Sequence, residues 1–131
     1  FAANEEFFPL KGRKLSLEEL QTYPILMLDK KSTTSEFLHS MFQKHQLDLV
    51  PEIELSSNDL LIDLAKIGLG IAFVPDFCIP SSDSSLFILE LEEALPERQL
   101  VVVHNESIPI SQAARQFMEL LGGREREQEE A

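Results

Sequence analysis

Apolar residues fall in short clusters divided by polar punctuation, and the spacing inside each cluster predicts its element. Ile25-Leu26-Met27-Leu28 is an unbroken apolar run of strand length, suited to a strand buried on both faces. Pro51 to Leu55 alternates Ile53 and Leu55 with Glu52 and Glu54, the period of a strand with one solvated face. Gly70-Ile71-Ala72-Phe73-Val74, closed by Pro75, reads as another buried strand, and Leu86 to Leu91 and Gln99 to His104 as two more. Between these runs the period becomes helical. Phe37, Leu38, Met41 and Phe42 form one stripe, Leu60, Leu61, Leu64 and Ile67 a second, and Ala114, Phe117, Met118 and Leu121 a third.

Capping residues set the helix limits. Ser16-Leu17-Glu18-Glu19 and Thr33-Thr34-Ser35-Glu36 both fit the capping box, in which a hydroxyl and a carboxylate satisfy orphan N–H groups of a first turn. The helix from Thr33 should fade near His45, and its stripe is expected to be wider than a sheet alone can cover. Ser56 or Ser57 can cap the next helix, and Gly68 sits where a left-handed stop is wanted. Ser111 caps the last helix and Gly122-Gly123 ends it. Strands alternating with helices imply βαβ units, hence an α/β fold with a mostly parallel sheet and helices on both faces. In such sheets ligands bind beyond the carboxyl ends of strands, which directs attention to the loops after Leu28, Leu55, Val74 and His104.

Composition narrows the function. With 131 residues, 44% of them hydrophobic, the chain can bury the core of one ordinary domain. Eleven Lys and Arg against 23 Asp and Glu give a net charge of −12, which repels phosphate backbones and anionic lipid, so neither direct nucleic-acid binding nor membrane binding is expected. No apolar run is long enough to span a bilayer. Cys78 is the only cysteine, so an internal disulfide and a cysteine zinc site are excluded and a reducing, cytoplasmic setting is expected. A start at Phe1 without a leader reads as part of a longer protein, and residues 122–131 read as a disordered acidic tail.

Little in the chain points to catalysis. Gly68-Leu69-Gly70 follows a helix and enters a strand, the reverse of the order a nucleotide loop needs. His39 and His45 are six residues apart, face nearly opposite ways on a helix, and read as solvated side chains instead of ligands to one metal. His104 has no nucleophile elbow to serve, and Cys78 has no neighbouring cation to activate it and reads as a small packed side chain. No catalytic residue, metal or cofactor is expected, and the chain does not read as an enzyme. Ser32, Thr33, Thr34 and Ser35 are more informative: they join the carboxyl end of a buried strand to a helix N-terminus, where N–H groups, the helix dipole and hydroxyls together favour an anion. A hydroxyl-rich cap also occurs without any ligand. Arg98 can grip a carboxylate through two parallel hydrogen bonds, or pair at the surface with Glu97 or Glu93.

Leu15-Ser16-Leu17-Glu18-Glu19-Leu20, Tyr23-Pro24-Ile25-Leu26 and Ser57 to Leu64 leading into Gly68-Leu69-Gly70-Ile71-Ala72-Phe73-Val74-Pro75 stand in a characteristic order. Arg98-Gln99-Leu100-Val101-Val102-Val103 and Ser111 to Phe117 complete it, and the set resembles the effector-binding (substrate-binding) domain of LysR-type transcriptional regulators. The resemblance implies one lobe of a type II periplasmic-binding-protein fold, with residues 1–97 as the second lobe and residues 98–121 as a strand and helix returning toward the first. It implies an interlobe cleft for a small carboxylate effector, an organic acid, bordered by Ser32, Thr33 and Thr34 and contacted by Arg98, and controlling DNA binding by a winged helix-turn-helix outside this chain. It also implies a homodimer or higher homo-oligomer through the helix of Thr33 to His45. A solute-binding protein of a transport system shares the fold and is the alternative reading.

Overall fold

The computed structural model describes residues 1–82 and 85–121, in two compact units divided between Leu95 and Pro96. The expected acidic tail, residues 122–131, and its Gly122-Gly123 stop lie outside the described residues.

The first unit is built on a five-stranded sheet in which β3 (Ile25–Leu28) lies between β4 (Ile53–Leu55) and β5 (Ile71–Ala72), both parallel to it. Beyond β5 the sheet continues through β1 (Ala2–Ala3), antiparallel to both its neighbours, to β6 (Phe87–Ile88) at the far edge. A separate parallel pair joins β2 (Lys14–Leu15) to β7 (Glu90–Leu91). The fold is therefore α/β with a mixed, mostly parallel sheet.

Alternation along β3 splits the core in two, because successive side chains leave a strand on opposite faces. Ile25 and Met27 join Leu38, Met41 and Phe42 of α2 (Thr33–Lys44) in the larger cluster. Leu26 and Leu28 join Leu61, Ile62 and Ala65 of α3 (Asn58–Lys66) on the other face. Full burial of one such aliphatic side chain contributes about 1.5–3 kcal/mol, which is why short strands suffice. Most of the α2 stripe is covered: Leu38, Met41 and Phe42 are buried and half-buried Phe37 packs against the same cluster, which leaves less surplus apolar face than expected.

Other expectations are corrected by tertiary structure. The buried face of α3 is Leu61, Ile62 and Ala65, while Leu60 and Ile67 are 45% and 69% exposed; the helix is rotated so that Ala65 meets the sheet closely. The cap of α2 is Ser32, one residue earlier than the capping-box reading: its Oγ accepts from the Ser35 N–H at 3.0 Å. Ser16 caps α1 (Leu17–Leu20) as expected, accepting from the Glu19 N–H at 3.1 Å, but the Glu19 carboxylate turns to Arg13 at 2.6 Å. The run Leu86 to Leu91 divides at Leu89 into β6 and β7, which pair in different sheets.

Glycines carry two close passages. Gly68, with φ +83°, ends α3, and the N–H of Leu69 returns to the Leu64 carbonyl at 3.2 Å. At Gly70 a Cβ would lie 2.6 Å from the Pro24 carbonyl oxygen, so only glycine lets this chain enter β5 beside β3. Buried Asn4 ties the N-terminal segment to α3, its side-chain amide donating to the Lys66 carbonyl at 3.0 Å.

The second unit carries α4 (Gln112–Leu121), capped by Ser111, whose Oγ accepts from the Ala114 N–H at 3.2 Å. Residues 99–104 form no strand. A strand needs a neighbour to pair with, and β propensity in Val101-Val102-Val103 does not replace one.

Candidate functional site

The α2 N-terminus meets the carboxyl end of β3 through a tight turn. Asp29 holds the turn, its carboxylate accepting from the Lys31 N–H at 3.1 Å and its carbonyl from the Ser32 N–H and hydroxyl at 3.0 and 2.9 Å. Ser32 is thereby used as the cap, both donating and accepting. Its carbonyl receives the Glu36 N–H at 3.2 Å. Thr33 is exposed at the first helical position, where no carbonyl of the same helix can reach its N–H. Thr34 and Ser35 are buried. Lys30 and Lys31, both exposed, bring two positive charges to the same turn.

The four hydroxyls expected to work together therefore divide. Ser32 and Thr33 stand at the helix end, while Ser35 faces a cavity of about 580 Å³ along the flank of α2. Its Oγ is buried and has no hydrogen-bonding partner in the protein, and the same is true of His39 Nε2 on the same wall. His39 is thus not the solvated side chain its spacing suggested; His45 is exposed. The spacing held a usable signal: Ser35 and His39 are four apart and flank Leu38 and Phe42, so they lie on the sheet-facing side of α2.

Arg98 belongs to the second unit. Cys78 is partly buried among the apolar side chains of the α3 face, and burial, with Asp59 and Asp76 nearby, raises its thiol pKa, the opposite of an activated nucleophile. Among the described residues no group of three or more His, Cys, Asp or Glu is arranged to hold a metal ion, and no helix is long and apolar enough to cross a membrane.

The sequence pattern of the LysR substrate binding domain matches residues 2–126. The HTH-type transcriptional activator CmpR of Synechocystis sp. is 25% identical over 114 residues, which is 86% of this chain and 38% of that protein. Two solved structures share the fold. HinK, a LysR family transcriptional regulator from Pseudomonas aeruginosa, has a TM-score of 0.70 at 16% identity, covering 90% of this chain and 41% of its own. The Synechocystis PCC6803 CcmR regulatory domain in complex with 2-PG has a TM-score of 0.69 at 23% identity, covering 92% and 59%. The chain spans less than two thirds of the length of each of these proteins.

Proposed function

The chain belongs to the LysR substrate binding domain family, and from that premise we propose that it is the effector-sensing part of a transcriptional regulator whose ligand is a small carboxylate. The observation that carries this reading is the α2 N-terminus beyond the carboxyl end of β3, with half-buried Ser32 and exposed Thr33 at its tip and exposed Lys30 and Lys31 beside it. Helix N–H groups and the dipole favour a carboxylate there, and each charge-assisted hydrogen bond contributes about 1.5–3 kcal/mol. The complex of CcmR with 2-PG supports a small-molecule ligand for a domain of this fold.

Ser32, Thr33, Thr34 and Ser35 are the proposed effector residues of the first unit and Arg98 that of the second. Ser32 and Thr33 act at the tip; Thr34 and Ser35, being buried, act by holding it in place. In the longer protein, effector binding would change the affinity of a winged helix-turn-helix for DNA, with the regulator working in the cytoplasm. Calorimetric titration of the chain with citrate and with benzoate tests the reading. One of the two should bind saturably, and Arg98→Gln should weaken it about tenfold, the loss of one bidentate contact. Equal affinity in both proteins removes Arg98 from the site.

A further inference from the structure

We propose that the cavity flanking α2 is a second ligand site, which adjoins the helix N-terminus and shares Lys30 and Ser35 with it, and that it takes a small aliphatic diamine. On this face of the sheet α2 is packed by Leu38, Met41 and Phe42, but toward the edge strand β4 the packing turns polar. Ile53 and Leu55 of β4 serve the α3 face, so Glu54 projects to the α2 side, opposite Ser35 and His39. The result is a cavity of about 580 Å³ where an apolar contact would otherwise close the sheet edge.

Its chemistry is specific in sign. Glu36, Asp48 and Glu54 line it with three carboxylates against the single ammonium of Lys30, a surplus of two negative charges that a diamine neutralises and an organic acid would increase. Ser35 is fully buried, and its Oγ and His39 Nε2 are buried polar atoms without a partner in the protein, a costly arrangement unless a ligand completes it. With its proton on Nδ1, His39 presents Nε2 as an acceptor, and the Ser35 hydroxyl is a second. Two neutral acceptors on the inner wall suit one ammonium group. The carboxylates suit the other, while Leu49 and Pro51 cover the methylenes between them.

The test is titration of the isotopically labelled chain with 1,4-diaminobutane at constant ionic strength, following backbone amides and the His39 ring. Saturable shifts confined to Lys30, Ser35 to His39 and Asp48 to Glu54 are expected. Ser35→Ala and Glu54→Gln should each weaken binding about fivefold or more. Glu54 is exposed, so its variant decides the matter should Ser35→Ala fail to fold. Shifts spread over the acidic surface, unchanged affinity in Glu54→Gln, or no response up to about 10 mM would each overturn the proposal.

Discussion

Single residues decide where this chain can be read and where it cannot. Ser16 and Ser57 announce helix starts because the chemistry is local: a hydroxyl beside the third N–H of the turn it begins, at 3.1 and 3.4 Å. Gly68 announces a stop for the same reason. Gln46 does not, although it ends α2 in the same left-handed way, with φ +59° and the Leu47 N–H returning to the Phe42 carbonyl at 2.9 Å. Nothing local distinguishes a glutamine that must adopt that conformation from one that need not; burial of Phe42 and packing of Leu47 on the same cluster impose it. Cys78 shows the opposite case, a residue read correctly as a packed side chain. Its thiol pKa is raised by burial first and by Asp59 and Asp76 next, so less thiolate is present at any pH below that pKa than in an unperturbed thiol. Iodoacetamide at pH 8 should therefore alkylate Cys78 in the folded chain more slowly than in the urea-unfolded chain, and an equal or faster rate would contradict that environment.

At the scale of elements, strands with their own hydrophobic signature were legible and strands made by pairing were not. β3 is visible in Ile25 to Leu28. β1 is only Ala2–Ala3, yet it occupies an inner sheet position, paired with Ala72 on one side and with Phe87 and Ile88 on the other; two alanines carry no strand signature of their own. The reverse error occurs at Val101 to Val103, where composition suggests a strand and none forms. The short helix α1 depends on a contact of the same nonlocal kind. Its Leu17 N–H donates to the Glu93 carboxylate at 3.1 Å across 76 residues of sequence, just beyond the β2–β7 pair. A carboxylate at a helix N-terminus both caps and complements the dipole. Glu93→Ala should cost about 1 kcal/mol of unfolding free energy in urea, with Glu93→Gln losing less because an acceptor remains. No change in either variant would mean the contact is incidental.

For the molecule as a whole, the charge of −12 and the division at Leu95 shape the expected behaviour. The pairing expected from a surplus apolar face on α2 loses most of that basis, because Leu38, Met41 and Phe42 are buried and only Phe37 is left partly exposed. Leu100 and Val103, 89% and 84% exposed, remain as apolar surface in the second unit. Burying such surface contributes about 25 cal/mol per Å², so sedimentation at rising concentration should still show association, and a strict monomer at high micromolar protein would end that expectation. The position of the proposed effector residues was legible in part: half-buried Ser32 and exposed Thr33 stand at the helix N-terminus, as their order along the chain suggested, whereas the cavity of Ser35 and His39 depends on which side of α2 meets the sheet. The most direct test of the central claim follows the Thr33 and Thr34 amide resonances while citrate and benzoate are titrated at fixed pH and ionic strength. Saturable shifts centred on these two amides, with smaller ones at Lys30 and Lys31, are the predicted result. Silence at both amides up to millimolar acid, or equal shifts produced by chloride, would contradict a carboxylate site at this helix end.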